Sequence, residues 1–327
     1  MEAMNSLIQA IKKAKSVVLL THVSPDGDTL GSVLGLKGIL VQLGINEKID
    51  AVTVGKIPDV YKFLPDINTV KNPDDADLYN KYDLAISVDC GSADRLGDSL
   101  DLFRNARVSV NIDHHISNSK FGDINWIEPT ASSCGQIVYK LFEPLEARLT
   151  KEIAVNLYTA ILTDTGGFKF ENTHAETLEI CSELIKAGAE PSFIYKKCYE
   201  SKPLVMFRLQ ARAVDQAILA EDNKIIYSIV SRKLLESFNA TDDHVDGVVD
   251  ALRQIDTVEV AMVFKETPKG NTKVSFRSNR INICEIARFY GGGGHKLAAG
   301  CTIEKSLEES INEVLHIIKK QIKANKI

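Results

Sequence analysis

Apolar β-branched runs alternate along the chain with segments whose apolar residues recur every three or four positions. Leu7, Ile8, Ile11 and Ala14 set a first helix, and residues 16–20 (SVVLL) a buried strand. Leu30, Val33, Leu34, Ile39, Leu40 and Leu43 then mark a helix that stops at Gly44. Strands follow at 49–54, 84–89 and 108–112, and helices at 132–147, 150–163 and 175–187, the last ended by Gly188. Strands alternating with helices build right-handed βαβ units and a parallel sheet.

The rhythm changes after about residue 190. Residues 191–220 carry a helical pattern with mixed charge. Strands are predicted at 224–231, 258–266 and 272–278, with a hairpin turn at Pro268-Lys269-Gly270-Asn271. A helix at 282–290, a glycine run, a strand near 298–303 and a helix from Ser306 finish the chain. The expectation is α/β: a doubly wound, mostly parallel N-terminal domain over 1–190, a helical connector over 191–220, and a smaller α+β domain over 221–327. A substrate cleft is expected between the two domains.

Length agrees, because 327 residues exceed the span at which one core usually stops growing. Composition places the chain among soluble globular proteins, with 44% apolar and 25% charged residues. A net charge of −5 argues against bulk electrostatic binding of long nucleic acid. Apolar runs are too short to span a membrane. Cys90, Cys134, Cys181, Cys198, Cys284 and Cys301 form no CxxC pair and read as reduced thiols. Met1 to Asn5 begin an amphipathic helix and lack a signal-peptide pattern, so a cytoplasmic location is expected.

The chemistry gathers where apolar strands and helices end. Residues 17–35 run from a buried strand through His22, Asp26 and Asp28 into a helix. Alone, these aspartates have two readings, a divalent metal site or caps on the positive end of a helix. Asp89, Asp113, His114, His115 and Asp164 each follow or end another apolar element. The ends of parallel strands share one edge, so these groups can meet. Four carboxylates in one crevice (Asp26, Asp28, Asp89, Asp164) repel strongly unless two divalent cations offset them, with His22 and His114 completing the shells. No cysteine stands among these candidates, and an oxygen-rich shell suits Mn²⁺ or Mg²⁺ better than zinc. In the second domain, Gly291 to Gly294 expose backbone N–H groups beside His295, and Arg277 and Ser278 close a nearby strand.

The stretches THVSPDGDTLGS (21–32), SVDCGSADRLG (87–97), NIDHHISN (111–118) and LTDTGGF (162–168) resemble the four motifs of the DHH phosphoesterase superfamily. RSNRINICEIARFYGGGGHKLAAG (277–300) resembles its DHHA1 C-terminal domain, and the nearest likeness is to the stand-alone nanoRNase branch. The resemblance implies one ion on His22, Asp26 and Asp89, and a second on Asp28, Asp89, His114 and Asp164, with Asp89 bridging. It implies that Asp113 orients the histidines, that His115 meets the scissile phosphate or moves a proton, and that Arg277 and the GGGH segment bind a phosphate or nucleotide. Arg95, Ser132 and Ser133 are further candidates for lining the cleft.

The resulting expectation is a two-metal phosphodiesterase, with Mn²⁺ preferred and Mg²⁺ or Co²⁺ as alternatives. Its substrates would be very short RNA and dinucleotides such as pApA, and pAp would lose its 3′-phosphate at the same site. No membrane or long duplex partner is expected, and the chain would act as a monomer or homodimer. An inorganic pyrophosphatase-like phosphohydrolase and a non-catalytic nucleotide sensor are the competing readings.

Overall fold

A computed structural model of the chain describes residues 2–45 and 47–324. They divide into two compact units, Met1–Ser201 and Lys202–Ile327.

In the first unit, helix α1 (Glu2–Lys13) precedes strand β1 (Ser16–Leu20), helix α2 (Gly27–Gln42), and strands β2 (Lys48–Val52), β3 (Val70–Lys71) and β4 (Leu84–Val88). Helix α3 (Leu100–Asn105) leads to strands β5 (Val108–Asp113) and β6 (Ile124–Ile127). Helices α4 (Cys134–Tyr139), α5 (Phe142–Leu145), α6 (Lys151–Asp164), α7 (Ala175–Lys186) and α8 (Pro191–Tyr199) complete it. Met1, expected at the first helix's start, lies outside the described residues. The predicted helix over 132–147 is two short helices, because Lys140 and Leu141 close the first one with their own turn bonds. Strands β3 and β6 escaped the sequence pattern: β3 has two residues, and β6 carries Asn125 and Trp126 between its isoleucines.

All five pairings are parallel, in the order β3-β2-β1-β4-β5-β6. The sheet reverses direction of growth between β1 and β4, which opens a crevice at their C-terminal ends. β1 and β4 are buried along their whole length, as strands covered on both faces must be.

Helix α2 is buried through most of its length and lies against α6 at unusually close range. Gly27, Gly31, Gly35 and Gly38 line the contact. A Cβ on Gly31 would stand 2.4 Å from the Asn156 carbonyl oxygen, and one on Gly35 would stand 2.4 Å from the Leu157 side chain. Each glycine costs about 0.5–1 kcal/mol of helix propensity relative to alanine. Close packing of two apolar helices offsets that cost. The contact also fixes the start of α2 against the end of α6.

The second unit comprises helix α9 (Leu204–Asp215), strands β7 (Ile218–Ala220) and β8 (Ile225–Val230), helices α10 (Arg232–Ser237) and α11 (Val248–Arg253), and strands β9 (Val260–Glu266) and β10 (Thr272–Ser278). Helix α12 (Ile283–Phe289), strands β11 (Gly293–His295) and β12 (Ala298–Ile303), and helix α13 (Leu307–Ala324) follow. Its mixed sheet has the order β11-β12-β10-β9-β8-β7, with only β8 and β9 parallel. On β10, Thr272, Val274, Phe276 and Ser278 are buried, while Lys273, Ser275 and Arg277 alternate onto the other face. Part of the glycine run is strand, since β11 pairs Gly293 with Gly300 and His295 with Ala298.

The 191–220 stretch is shared between the units. Ile194 of α8 is buried in the first unit's core, and Leu209 and Ala213 of α9 are buried in the second's.

Gly31→Ala is expected to lose about 1–3 kcal/mol of unfolding free energy in urea, because backbone stands where the methyl must go. It should also weaken divalent-ion binding, measured by calorimetry, by shifting Asp28 relative to Asp164.

Candidate metal centre

Each sequence-predicted acid and imidazole of the first unit reaches the crevice from the C-terminal end of a strand or the adjoining end of a helix. His22 follows β1. Asp26 is the N-cap of α2, with Oδ1 accepting from Thr29 N at 3.1 Å, and Asp28 lies in that helix's first turn. Asp89 follows β4 in the left-handed region, at φ 61°. That conformation is uncommon for a non-glycine residue and concentrates at functional sites. Here it turns a nearly inaccessible carboxylate toward two histidines, anchored by Asp89 N donating to Ile112 O at 2.9 Å. Asp113 ends β5, His114 and His115 follow it, and Asp164 ends α6.

Asp89 holds the centre. Its Oδ2 lies 3.6 Å from His22 Nε2, and its Oδ1 lies 3.6 Å from His114 Nε2. His22 Nε2 is also 3.8 Å from Asp26 Oδ2. His114 Nε2 is 3.8 Å from Asp28 Oδ2 and 3.7 Å from Asp164 Oδ2. Both rings turn Nδ1 away: His22 Nδ1 is 2.8 Å from Val23 O, and His114 Nδ1 is 3.3 Å from Ala131 O. A proton on Nδ1 leaves the Nε2 lone pair facing the carboxylates.

A second layer holds these groups. Asp28 accepts from Cys134 N at 2.8 Å and Gly135 N at 3.1 Å, the free donors at the start of α4, and from Ser32 Oγ at 2.9 Å. Fully buried Asp113 accepts from His114 N at 2.8 Å and His115 Nδ1 at 2.7 Å on one oxygen, and from Asn118 at 2.6 Å on the other. Asn172 Nδ2 bonds Asp164 O at 3.2 Å and Oδ2 at 3.4 Å.

The charges are frustrated without cations. Burial pushes Asp28 well above the usual carboxylate range, and the Asp89 and Asp164 charges push the same way. Burial likewise raises Asp164 to about 7, with His114 opposing and Asp89 and Asp26 adding to the rise. Burial alone would favour neutral histidines. Contacts with Asp26 and Asp89 outweigh it at His22, which rises to about 10. At His114, Asp89, Asp28 and Asp164 outweigh it and the value reaches about 11. Protons on imidazole therefore stand in for positive charge that the carboxylates require.

Comparison with known proteins bears on this arrangement. The DHH family N-terminal domain matches residues 16–161, and the DHHA1 domain matches residues 222–324. The probable bifunctional oligoribonuclease and PAP phosphatase NrnA of Streptococcus mutans is 31% identical over 92% of this chain and 93% of its own. The chain belongs to the DHH family. The bifunctional oligoribonuclease and PAP phosphatase NrnA of Bacillus subtilis is 30% identical over 91% of this chain and 92% of its own. An exopolyphosphatase-related protein from Bacteroides fragilis superposes with a TM-score of 0.93 at 24% identity, over 100% of this chain and 98% of that one, and so shares the fold.

DHH phosphoesterases depend on metal ions, and the donors here fit that requirement. Ligand atoms of His22, Asp26 and Asp89 lie within 4.8 Å of one another, as do those of Asp28, Asp89, His114 and Cys134. Cys134, which stands outside the candidate set in the sequence, lies beside it in the structure. Its Sγ is buried 3.8 Å from Asp89 Oδ1, a position set by the start of α4 and invisible in cysteine spacing.

Other candidates change role once placed. Arg95 leans on the site's edge, its Nη2 3.0 Å from His22 Nδ1 and its carbonyl accepting from Val23 N. Ser132 is fully buried, donating to Gln136 Oε1 at 2.7 Å, and Ser133 caps α4. Ser278 is equally buried, donating to Glu259 Oε1 at 3.1 Å. These serines support loops; none offers a hydroxyl to solvent. Arg277 remains half-exposed, with Nε 2.8 Å from Asp250 Oδ1 and Nη2 3.4 Å from Asp250 Oδ2. Gly291, Gly293, Gly294 and His295 are exposed. Gly292 and Gly294 sit where a Cβ would strike β12 backbone, at 2.2 Å from Gly300 O and 2.4 Å from Ala298 O. Sequence reasoning missed Asn118, Asn172 and Asp250. The first two lie four and eight residues beyond motif acids or histidines, and no local pattern marks Asp250.

Divalent ions should raise the melting temperature of chelator-stripped protein, since about 2.7 kcal/mol accrues at an ion concentration a hundred times Kd. Asp89→Asn should lose most of that rise. The imidazole protons on His22 and His114 must leave as ions bind, so affinity should increase with pH. Calorimetry in buffers of different ionisation enthalpy should detect the released protons.

Proposed function

We propose that the chain is a two-metal phosphohydrolase that cleaves very short oligoribonucleotides and dinucleotides such as pApA to mononucleotides and removes the 3′-phosphate of pAp. The observation that carries this reading is the complete carboxylate–imidazole set centred on Asp89, in a chain aligned nearly end to end with relatives named oligoribonuclease and PAP phosphatase. A donor set dominated by carboxylates, with two imidazoles, supports Mn²⁺, with Mg²⁺ or Co²⁺ as substitutes. The free cysteines among the described residues support a reducing, cytoplasmic setting. None of the described helices is long and apolar enough to cross a membrane.

In this reading His22, Asp26 and Asp89 hold one ion, and Asp28, Asp89, His114 and Asp164 hold the other. Bound ions supply a hydroxide at neutral pH and polarise a phosphoryl oxygen. His115 faces the reacting phosphate. Its Nδ1 is tied to Asp113, so Nε2 is oriented to donate a hydrogen bond to the phosphate or a proton to the departing oxygen. The buried Asp113 carboxylate keeps that ring in one orientation and favours its charged form, as the upward shift of His115 reflects. Arg277 meets a substrate phosphate in exchange for its present partners, Asp250 on Nε and Nη2 and Phe276 O on Nη1, and the Gly293–His295 strand approaches the nucleotide closely.

The test is a panel of pAp, pApA, labelled RNAs of two to twenty nucleotides (~2–20) and pyrophosphate, each with Mn²⁺, Mg²⁺ and Co²⁺. Hydrolysis should favour pAp and the shortest RNAs. Preference for the longest RNA or for pyrophosphate, or no turnover with any ion, would overturn the proposal. His115→Ala should lower kcat by roughly a hundred- to ten-thousand-fold while divalent-ion binding persists. Arg277→Ala should act mainly on KM.

A further inference from the structure

The turn that follows Asp164 is strained. Gly166, Gly167 and Phe168 lie one after another in the left-handed region, at φ 58°, 75° and 67°. Glycine adopts that conformation freely, but a phenylalanine there is an outlier of the kind that gathers at functional sites. The turn is closed by its own bonds: Lys169 N and Phe170 N both donate to Thr165 O at 3.1 Å, and Thr173 N donates to Phe170 O at 3.0 Å. Phe168 turns inward onto Tyr158, with ring centres 6.0 Å apart. Phe170 lies over Gly166, where a Cβ would stand 2.4 Å from the ring, yet 44% of Phe170 remains exposed. Tyr195 of α8, also exposed, borders the next glycine, its Cε2 3.2 Å from where a Gly167 Cβ would stand. Lys169 Nζ is 5.6 Å from the centre of the Phe170 ring.

We infer, on the phosphohydrolase reading of this site, that Phe170 is a stacking platform for a nucleobase of the substrate, with Tyr195 beside it and Lys169 placed for the adjoining phosphate.

Gly166 is two residues past Asp164, a step of at most about 7 Å along the chain, so a nucleoside whose phosphate meets the ions can lay its base on the ring. The platform is set before a ligand arrives. Bonds within the turn fix its backbone, and Asn172 ties the same segment down by donating to Asp164 O at 3.2 Å and Ser132 O at 2.9 Å. A ring already fixed in place costs little further ordering when a base settles on it. Every base has a π-face, so stacking favours nucleotides over bare pyrophosphate without selecting one base. A cation beside an aromatic ring is the pairing that holds single strands elsewhere. Other apolar groups are less suited to the role. Trp126 is 4% exposed and its Nε1 donates to Glu128 Oε1 at 2.8 Å, while Ile116, exposed beside His115, has no π-face.

Kinetics with pAp, and competition against pAp by its base-free analogue ribose 3,5-bisphosphate, separate stacking from phosphate binding. Phe170→Ala should raise KM for pAp by about five- to a hundredfold, with a much smaller change in kcat. The same substitution should change the inhibition constant of the base-free analogue by less than about twofold, since that ligand has no base to lose its platform. Phe170→Trp should keep KM for pAp within about threefold of the wild type, whereas Phe170→Leu, which still covers Gly166, should resemble the alanine variant. The ion-induced rise in melting temperature reports on the fold and the metal centre, and it should be the same in all three variants. If the wild type turns over pAp but Phe170→Ala weakens both ligands alike, or neither, the stacking platform is overturned and the phosphohydrolase stands. A leucine variant that matches the wild type, or a loss of affinity that comes with a smaller melting rise, overturns it too. Absence of pAp turnover by the wild type with any divalent ion overturns both readings.

Discussion

The structure is organised by a shortage of positive charge. Asp26, Asp28, Asp89 and Asp164 meet at one end of the first sheet with the imidazoles of His22 and His114 between them and His115 Nδ1 3.7 Å from Asp89 Oδ1, and Asp28 and Asp89 are almost wholly removed from water. Carboxylates in such a place repel one another and lose hydration, and each unpaired one costs several kcal/mol. Part of the deficit is met by dipoles: the first N–H groups of α4 point at Asp28, and Thr29 N points at Asp26. Part is met by protons on His22 and His114. Cations meet the rest, so the features that look costly in the protein alone are the ones that give an ion its shell.

That requirement explains several local departures from ordinary structure. A non-glycine residue with φ 61° just past a strand is strained, yet this turn directs one Asp89 oxygen to each of His22 and His114. Four glycines on one face of α2 weaken the helix, yet they bring it close enough to α6 for Asp28 and Asp164 to share His114. A carboxylate at Asp113 buried without a cation would be destabilising, but three donors from His114, His115 and Asn118 satisfy it. Local rules are broken where several elements must converge on one point, and the compensation comes from the neighbouring elements.

Much of this was legible in the sequence, for identifiable reasons. β1 and β4 are buried throughout and β5 from Val110 onward, so these strands appear as largely apolar runs, and each leads to the polar residue that matters. The acids and histidines were found because they sit at those ends. What escaped were short or edge elements such as β3, β6 and β7, whose pairing is decided by the sheet and not by their own few residues. Also hidden were partners that arrive from elsewhere in the fold: Cys134 through the start of α4, Asn172 from beyond α6, and Asp250 against Arg277. Ser132 and Ser278 were misleading for the opposite reason. Their sequence neighbours are functional candidates, but their hydroxyls point inward to Gln136 and Glu259.

The pair Asp26 and Asp28 shows how two readings of one sequence can both hold. From sequence, a carboxylate before a helix is either a cap or a ligand. Asp26 is placed for both, because its Oδ1 bonds Thr29 N while its Oδ2 faces His22. Asp28, two residues on, has already entered the helix, so its side chain leaves in a different direction and reaches α4 and His114. The helix start therefore separates two acids one residue apart onto the two sides of Asp89. Gly27 between them stands where a Cβ would strike Thr163, the residue before Asp164, at 2.5 Å. The same close contact that excludes a side chain there sets the spacing of the acids around it, and it does so before any ion is bound.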